Sequence, residues 1–199
     1  MRRIHRGLIP VLILAVCCPA WAAQFSRPAS DHDTDSWTIT PLWSKVDDPT
    51  SSTDGSEIGS VNNPNDDTTD DVIFTSTTIT DPVSSTGHIL RAVWHKNASG
   101  GRQMDMRLRL YQGDPNASGT LIATLTATDV GFTDQTDAYT LSGAEADNIT
   151  DYSDLYLRGT GDVVGGGPGR TALIEAVEFE TPDAPAGGRD LMILTTGGS

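Results

Sequence analysis

Gln103-Met104-Asp105-Met106-Arg107-Leu108-Arg109-Leu110-Tyr111 decides the fold. Every second side chain is apolar, so a strand puts Met104, Met106, Leu108 and Leu110 on one face and Asp105, Arg107, Arg109 and Tyr111 on the other. A half-buried strand of this kind belongs to a sheet with one wet face. Around it the same logic predicts more strands. Gly113-Asp114-Pro115-Asn116 is a turn into Leu121–Leu125, and Ala138–Leu141 and Asp154–Arg158 follow. Upstream, His88–Lys96 is a strand with Leu90, Ala92 and Trp94 inward and Arg91 and His95 outward. Val72–Thr75 is another, and Trp37–Val46 reads as a first strand interrupted by Pro41. Thr171–Glu180 closes the set. Ser142 and Glu145 have capping-box spacing, which predicts one short helix over Ala144–Ile149. Gly159–Gly169 reads as a mobile glycine loop without the Gly-Lys-Ser/Thr of a phosphate loop. Eight or nine short strands with one helix predict an all-β protein, an antiparallel β-sandwich of jelly-roll type, over an immunoglobulin-like sandwich.

The two ends read differently. Arg2, Arg3 and Arg6 precede an apolar run, Leu8–Cys18, and Ala20-Trp21-Ala22 supplies a small-x-small cleavage pattern, which predicts a signal peptide over 1–22. Removing 22 of the 199 residues leaves 177, enough for one core. Both cysteines, Cys17 and Cys18, lie in the removed part, so no disulfide or thiolate site is expected afterwards. Loss of three arginines takes the formal charge from −14 to −17, which excludes a phosphate-backbone partner and disfavours anionic membranes. No transmembrane segment is expected after cleavage. The expected location is secreted, periplasmic or cell-surface. Residues 23–36 read as a flexible acidic lead-in, 37–182 as the sandwich domain, and 183–199 as a linker-like tail. Its apolar patch, Leu191–Leu194, offers a self-association surface.

The remaining side chains supply few catalytic candidates. After the leader the histidines are His32, His88 and His95, and there is no Gly-x-Ser-x-Gly elbow. His88 and His95, seven apart on one strand, project to opposite faces, and no His/Cys cluster has zinc spacing. A carboxylate pair of glycosidase type carries no evidential weight among 27 Asp and Glu. The reading is therefore non-enzymatic. Arg107, Arg109 and Tyr111 share the polar face of the first-quoted strand, and Tyr156 and Arg158 belong to a similar strand. These five are the candidate ligand-binding residues, with a glycan or another cell-surface component as partner: flat aromatics stack on sugar rings and polar groups bond hydroxyls. The competing reading is a solvated face whose arginines pair across strands with residues such as Glu175. The segment 47–71 is long and acidic. Asp47, Asp48, Asp54, Glu57, Asp66, Asp67, Asp70 and Asp71 are its candidate calcium ligands, since hard cations take six to eight oxygens.

The combination Leu110-Tyr111-Gln112-Gly113, Leu121-Ile122-Ala123, Tyr139-Thr140-Leu141, Ala144-Glu145-Ala146 and Ile149–Leu155 resembles a family of largely uncharacterised jelly-roll/β-sandwich domains. They are found in exported bacterial proteins and phage structural proteins. The resemblance covers Leu42 to Pro182. It implies the sandwich fold and a non-enzymatic role, and supplies no active site. The functional expectations are an exported binding module first, a structural or assembly protein of the envelope or an appendage second, and a carbohydrate-active enzyme third.

Overall fold

A computed structural model describes residues 22–38 and 41–184. Ten strands run β1 (Ala23–Ser26), β2 (Pro28–Asp33), β3 (Ile58–Gly59), β4 (Asp71–Ser76), β5 (Ile89–Lys96), β6 (Gln103–Gln112), β7 (Thr120–Ala127), β8 (Gln135–Thr140), β9 (Leu155–Val164) and β10 (Ala172–Pro182), with one helix α1 (Gly143–Asp147). All named pairings are antiparallel. One sheet, here sheet A, has the order β1-β10-β5-β8, with β3 also on β10; the other, sheet B, has β2-β4-β9-β6-β7. Successive strands alternate between sheets except at the β6–β7 hairpin, which is how a jelly roll distributes its strands. The β-sandwich expected from the alternation is the fold observed.

The β6 pattern explains the packing. Met104, Met106, Leu108 and Leu110 are all fully buried, against Val72 and Phe74 of β4, Leu157 of β9, and Leu90, Trp94, Ile174 and Phe179 of sheet A. Leu90, Ala92 and Trp94 point inward, as the alternation required. Trp94 is not wholly apolar: its indole Nε1 donates to Asp137 at 2.6 Å. At α1, the Ser142 hydroxyl accepts from the Glu145 backbone while the Glu145 carboxylate accepts from the Ser142 N–H at 2.7 Å. The helix is thus closed at its first turn as predicted, and Ala146 and Ile149 anchor it to the core.

Three expectations are corrected. Residues 23–36 are not a lead-in: β1 and β2 are edge strands of the two sheets, so the folded unit starts before Trp37. An edge strand tolerates charge and needs little apolar content, so composition alone resembled a linker. Second, the described residues of Trp37–Val46 do not form a strand. Thr38 makes a lone bridge to Gly59, and Trp43–Lys45 is a 3-10 turn whose Leu42 and Trp43 N–H groups donate to the Asp31 carboxylate at 2.9 and 2.7 Å. Third, Gly159 and Gly161 lie within β9 rather than in a mobile loop. Both face inward where the sheets approach: a Cβ on Gly159 would lie 3.0 Å from Ile174 Cδ1, and one on Gly161 2.7 Å from Ala172 Cβ. The expected signal peptide (1–22), apart from Ala22, and the Leu191–Leu194 patch lie outside the described residues. Among the described residues no helix is long and apolar enough to cross a membrane.

Candidate functional site on the outer face of sheet B

Strand register turns the β6 alternation into a surface. Tyr111 of β6 pairs with Tyr156 of β9 on one side and Leu121 of β7 on the other, and Tyr156 continues to Thr75 of β4. The next row is Ile73, Arg158, Arg109 and Thr124; the third is Asp71, Thr160, Arg107 and Thr126. All five expected ligand residues therefore come together on one solvent-side face, in an aromatic row and two arginine rows. Leu121 at its end is 48% exposed, an apolar side chain left in water beside two half-buried tyrosines.

Two segments reach over this face. Arg109 and Arg158 stand directly opposite one another, a pairing that repels unless each is neutralised. Asp66, on the loop before β4, accepts from Arg107 Nη1 at 2.8 Å, from Arg109 Nη2 at 2.7 Å and from the Thr160 hydroxyl at 2.7 Å. Burial alone raises the Asp66 pKa, but the Arg109 and Thr160 hydrogen bonds and the Arg109 and Arg107 charges outweigh it and bring it to about 2. Asp71, fully buried, is ion-paired with Arg158, which also donates to the Asp67 carbonyl at 3.1 Å. At the aromatic end, the turn after β6 meets β2: His32 Nε2 is 2.9 Å from Asp114 Oδ1, and Asn116 Nδ2 donates to Asp33 Oδ2 at 2.6 Å. The His32 ring stands edge-on to Tyr156, 5.1 Å between centroids.

The arginines thus have acidic partners, but from Asp66, Asp71 and Asp162 and not from Glu175, which lies on β10 of the other sheet. Each guanidinium has five N–H donors, so pairing with one carboxylate leaves others to offer. His32, Asp33, Asp114 and Asn116 were missed as site residues. They arrive from a strand read as linker and from a turn, and no local pattern marks them.

The eight carboxylates expected to hold calcium are not brought into one cage. Asp66 and Asp71 are taken by arginines, as above. Asp48 accepts from the Asp54 N–H, Asp54 from the Ser56 N–H, and Asp67 from Thr69. Asp70 accepts from Ser36 and Asn65, and Asp47 lines a groove of 420 Å³ with Phe25, Arg27 and Trp43. The bonds to Asp48, Asp54 and Asp67 and that from Asn65 to Asp70 are the short-range hydrogen bonds by which Asp closes turns, whereas the Ser36–Asp70 bond ties the loop to the segment after β2. Glu57 alone joins a group with the right donors, and its companions come from other strands.

Asp35 carries a pH dependence opposite to that of Asp66. Its carboxyl shares a hydrogen bond with Asp71, and burial and the Asp33 charge add to this, raising its pKa to about 7. Between 3.8 and about 7 the folded chain holds a proton that the unfolded chain releases. The stabilisation is complete below the lower value and is lost as pH rises through the upper one. Asp35 is exposed, so solvent limits the effect to about 1 kcal/mol or less. Asp35→Asn keeps a donor toward Asp71 at every pH. Urea unfolding at pH 5 and 8.5 should show a smaller stability loss with rising pH in the variant than in the parent.

No family model matches the chain, and no curated relative matches it in sequence. Among solved structures it is similar to a truncated AlyQ with CBM32 and alginate lyase domains, at 17% identity and a TM-score of 0.41, covering 84% of this chain and 36% of that one. It is similar also to a xylan-binding module, CBM15, at 14% identity and a TM-score of 0.42, covering 83% and 99%. A third is a carbohydrate-binding module specific for non-crystalline cellulose, CBM28, at 13% identity and 0.41, covering 72% and 86%. The chain spans little more than a third of the length of the lyase-containing structure.

Proposed function

We propose that this protein is an exported, non-catalytic carbohydrate-binding module whose site is the aromatic row on the outer face of sheet B. The observation that supports the reading is the cross-strand alignment of Tyr156, Tyr111 and exposed Leu121 beside arginines whose charges are already balanced. A neutral polyol has no charge to offer an arginine. A guanidinium already paired with Asp66 or Asp71 still presents N–H donors while adding no uncompensated charge, and the tyrosine rings supply apolar faces. His32, Asp114 and Asn116 add a polar border at the same end. Export is part of this reading and rests on Arg2–Arg6, the Leu8–Cys18 run and Ala20-Trp21-Ala22.

A glycan array, run with calcium and with chelator, tests this. Selective binding in both arms is expected, because the site uses no cation. Tyr111→Ala should weaken binding about 10-fold or more, as loss of an aromatic anchor does. Tyr111→Phe should retain most of it. A blank array, or binding indifferent to Tyr111→Ala, would remove the reading.

A further inference from the structure

The outer face of sheet A carries a group of different chemistry. β10 has a bulge between Ile174, opposite Trp94, and Ala176, opposite Val93. Glu175 is the extra residue, and the bulge turns its side chain out beside His95 of β5. Glu57, immediately before β3, and Asp134, immediately before β8, complete the surroundings: His95 Nε2 is 3.3 Å from Glu57 Oε2, and His95 Nδ1 is 3.1 Å from Asp134 Oδ1. Ligand atoms of Glu57, His95 and Glu175 all lie within 4.8 Å of one another.

The neighbouring carboxylates on β10 show what is unusual here. Glu178, 3% exposed, is paired with Arg27 at 3.0 Å and accepts from Thr50, and Glu180 is paired with Arg91. Glu175 is 6% exposed, yet its Oε2 is buried without a hydrogen-bond partner. Among the described residues no lysine or arginine forms an ion pair with Glu57, Asp134 or Glu175. Three carboxylates therefore converge on one imidazole, which carries at most one positive charge. A buried carboxylate oxygen left without a donor is costly, and the imidazole and second carboxylate within 4.8 Å of it make a cation the partner that fits.

We propose that Glu57, His95 and Glu175 bind a divalent metal ion of the zinc class, with Asp134 fixing the imidazole from behind. Two ligands at roughly 2.0–2.1 Å from a tetrahedral centre stand about 3.3 Å apart, which is the Glu57–His95 separation. The imidazole nitrogen separates this site from a calcium cage, which is built of oxygens. With Nε2 on the metal the ring proton sits on Nδ1, 3.1 Å from Asp134 Oδ1 and without another partner, so a small turn of the ring on metal binding would complete the carboxylate–histidine–metal arrangement that orients a ligating imidazole and raises its basicity. Glu57, whose side chain is 41% exposed, leaves the remaining coordination position open to water. The site is on the opposite outer face from the tyrosine row, so glycan binding and metal binding are separable.

The test uses the purified protein in a Cys17→Ser/Cys18→Ser background, which removes the two cysteines of the chain, after dialysis against chelator. Zinc titrated calorimetrically should bind one per chain and raise the thermal midpoint, while calcium at the same concentration should not. Glu57→Gln, at an exposed position, should weaken zinc binding by about 10-fold or more with the metal-free thermal midpoint little changed, as should His95→Gln for the affinity. His32→Gln should leave it unchanged. Absence of zinc binding, zinc affinity indifferent to Glu57→Gln, or an equal response to calcium would each overturn the proposal.

Discussion

Arg158→Met is expected to cost about 3–5 kcal/mol of folding stability, the usual penalty for stranding one member of a buried ion pair. Asp71 is 1% exposed, and among the described residues Arg158 is its sole cationic partner. Methionine fills much of the volume of the arginine stem, so the loss reports the charge rather than a cavity. Asp71→Asn removes the buried charge and should be milder, since Arg158 keeps its bond to the Asp67 carbonyl. The discriminating measurement is the double variant in urea, at constant m value. Arg158→Met/Asp71→Asn should be more stable than Arg158→Met alone, because no carboxylate is left orphaned. If the second substitution adds its full cost to the first, the pair is not coupled and the argument fails. The prediction bears on the binding face as well, because Arg158 lies between Ile73 and Arg109 in the row beside the tyrosines.

How much of this was legible in the sequence depends on the range of the interaction. The β6 alternation, the inward Leu90–Ala92–Trp94 set and the Ser142–Glu145 cap are local periodicities, and a strand or helix turn expresses them without outside help. Alternation also placed Arg107, Arg109 and Tyr111 on one side. That Tyr156 and Arg158 join them is a fact of β6–β9 register across 40-odd residues of intervening chain, which follows once the two strands are adjacent. Asp66 is different. Its role is to neutralise two arginines arriving from another strand, and nothing within 47–71 distinguishes it from the aspartates that merely close turns. The same holds for the edge strands β1 and β2, whose pairing partners are β10 and β4 and whose own composition is that of a linker. The Glu57–His95–Glu175 group leaves no spacing signature along the chain, because its three donors meet across strands and one is displaced by a bulge.

Gly161→Val is expected to cost about 3 kcal/mol or more, at the upper end for overpacking a filled core. A Cβ there would lie 2.7 Å from Ala172 Cβ, 3.0 Å from Pro64 Cγ and 3.3 Å from Met104 Sδ. Ala172 has no side-chain torsion with which to move away, so β9 and β10, and with them the two sheets, must separate. Gly159→Ala should be milder. Its contacts are the Ile174 Cδ1 and Val72 Cγ1 methyls, which can turn aside. Gly166→Ala, with no atom within 4 Å of the added carbon, should fall within roughly 0.5 kcal/mol of the parent. This ordering separates strand glycines from loop glycines in a stretch whose composition does not. Ala172→Gly in the Gly161→Val background should recover part of the loss; no recovery would place the strain at Pro64 instead. That alternative has its own signature. The Pro64 carbonyl accepts from the Val163 N–H at 3.1 Å, and Asp66 follows two residues later on the arginine face. Displacing Pro64 must loosen the hold of Asp66 on Arg107 and Arg109, so the variant's remaining stability should depend less on acid pH than the parent's, as the ionised Asp66 ceases to contribute.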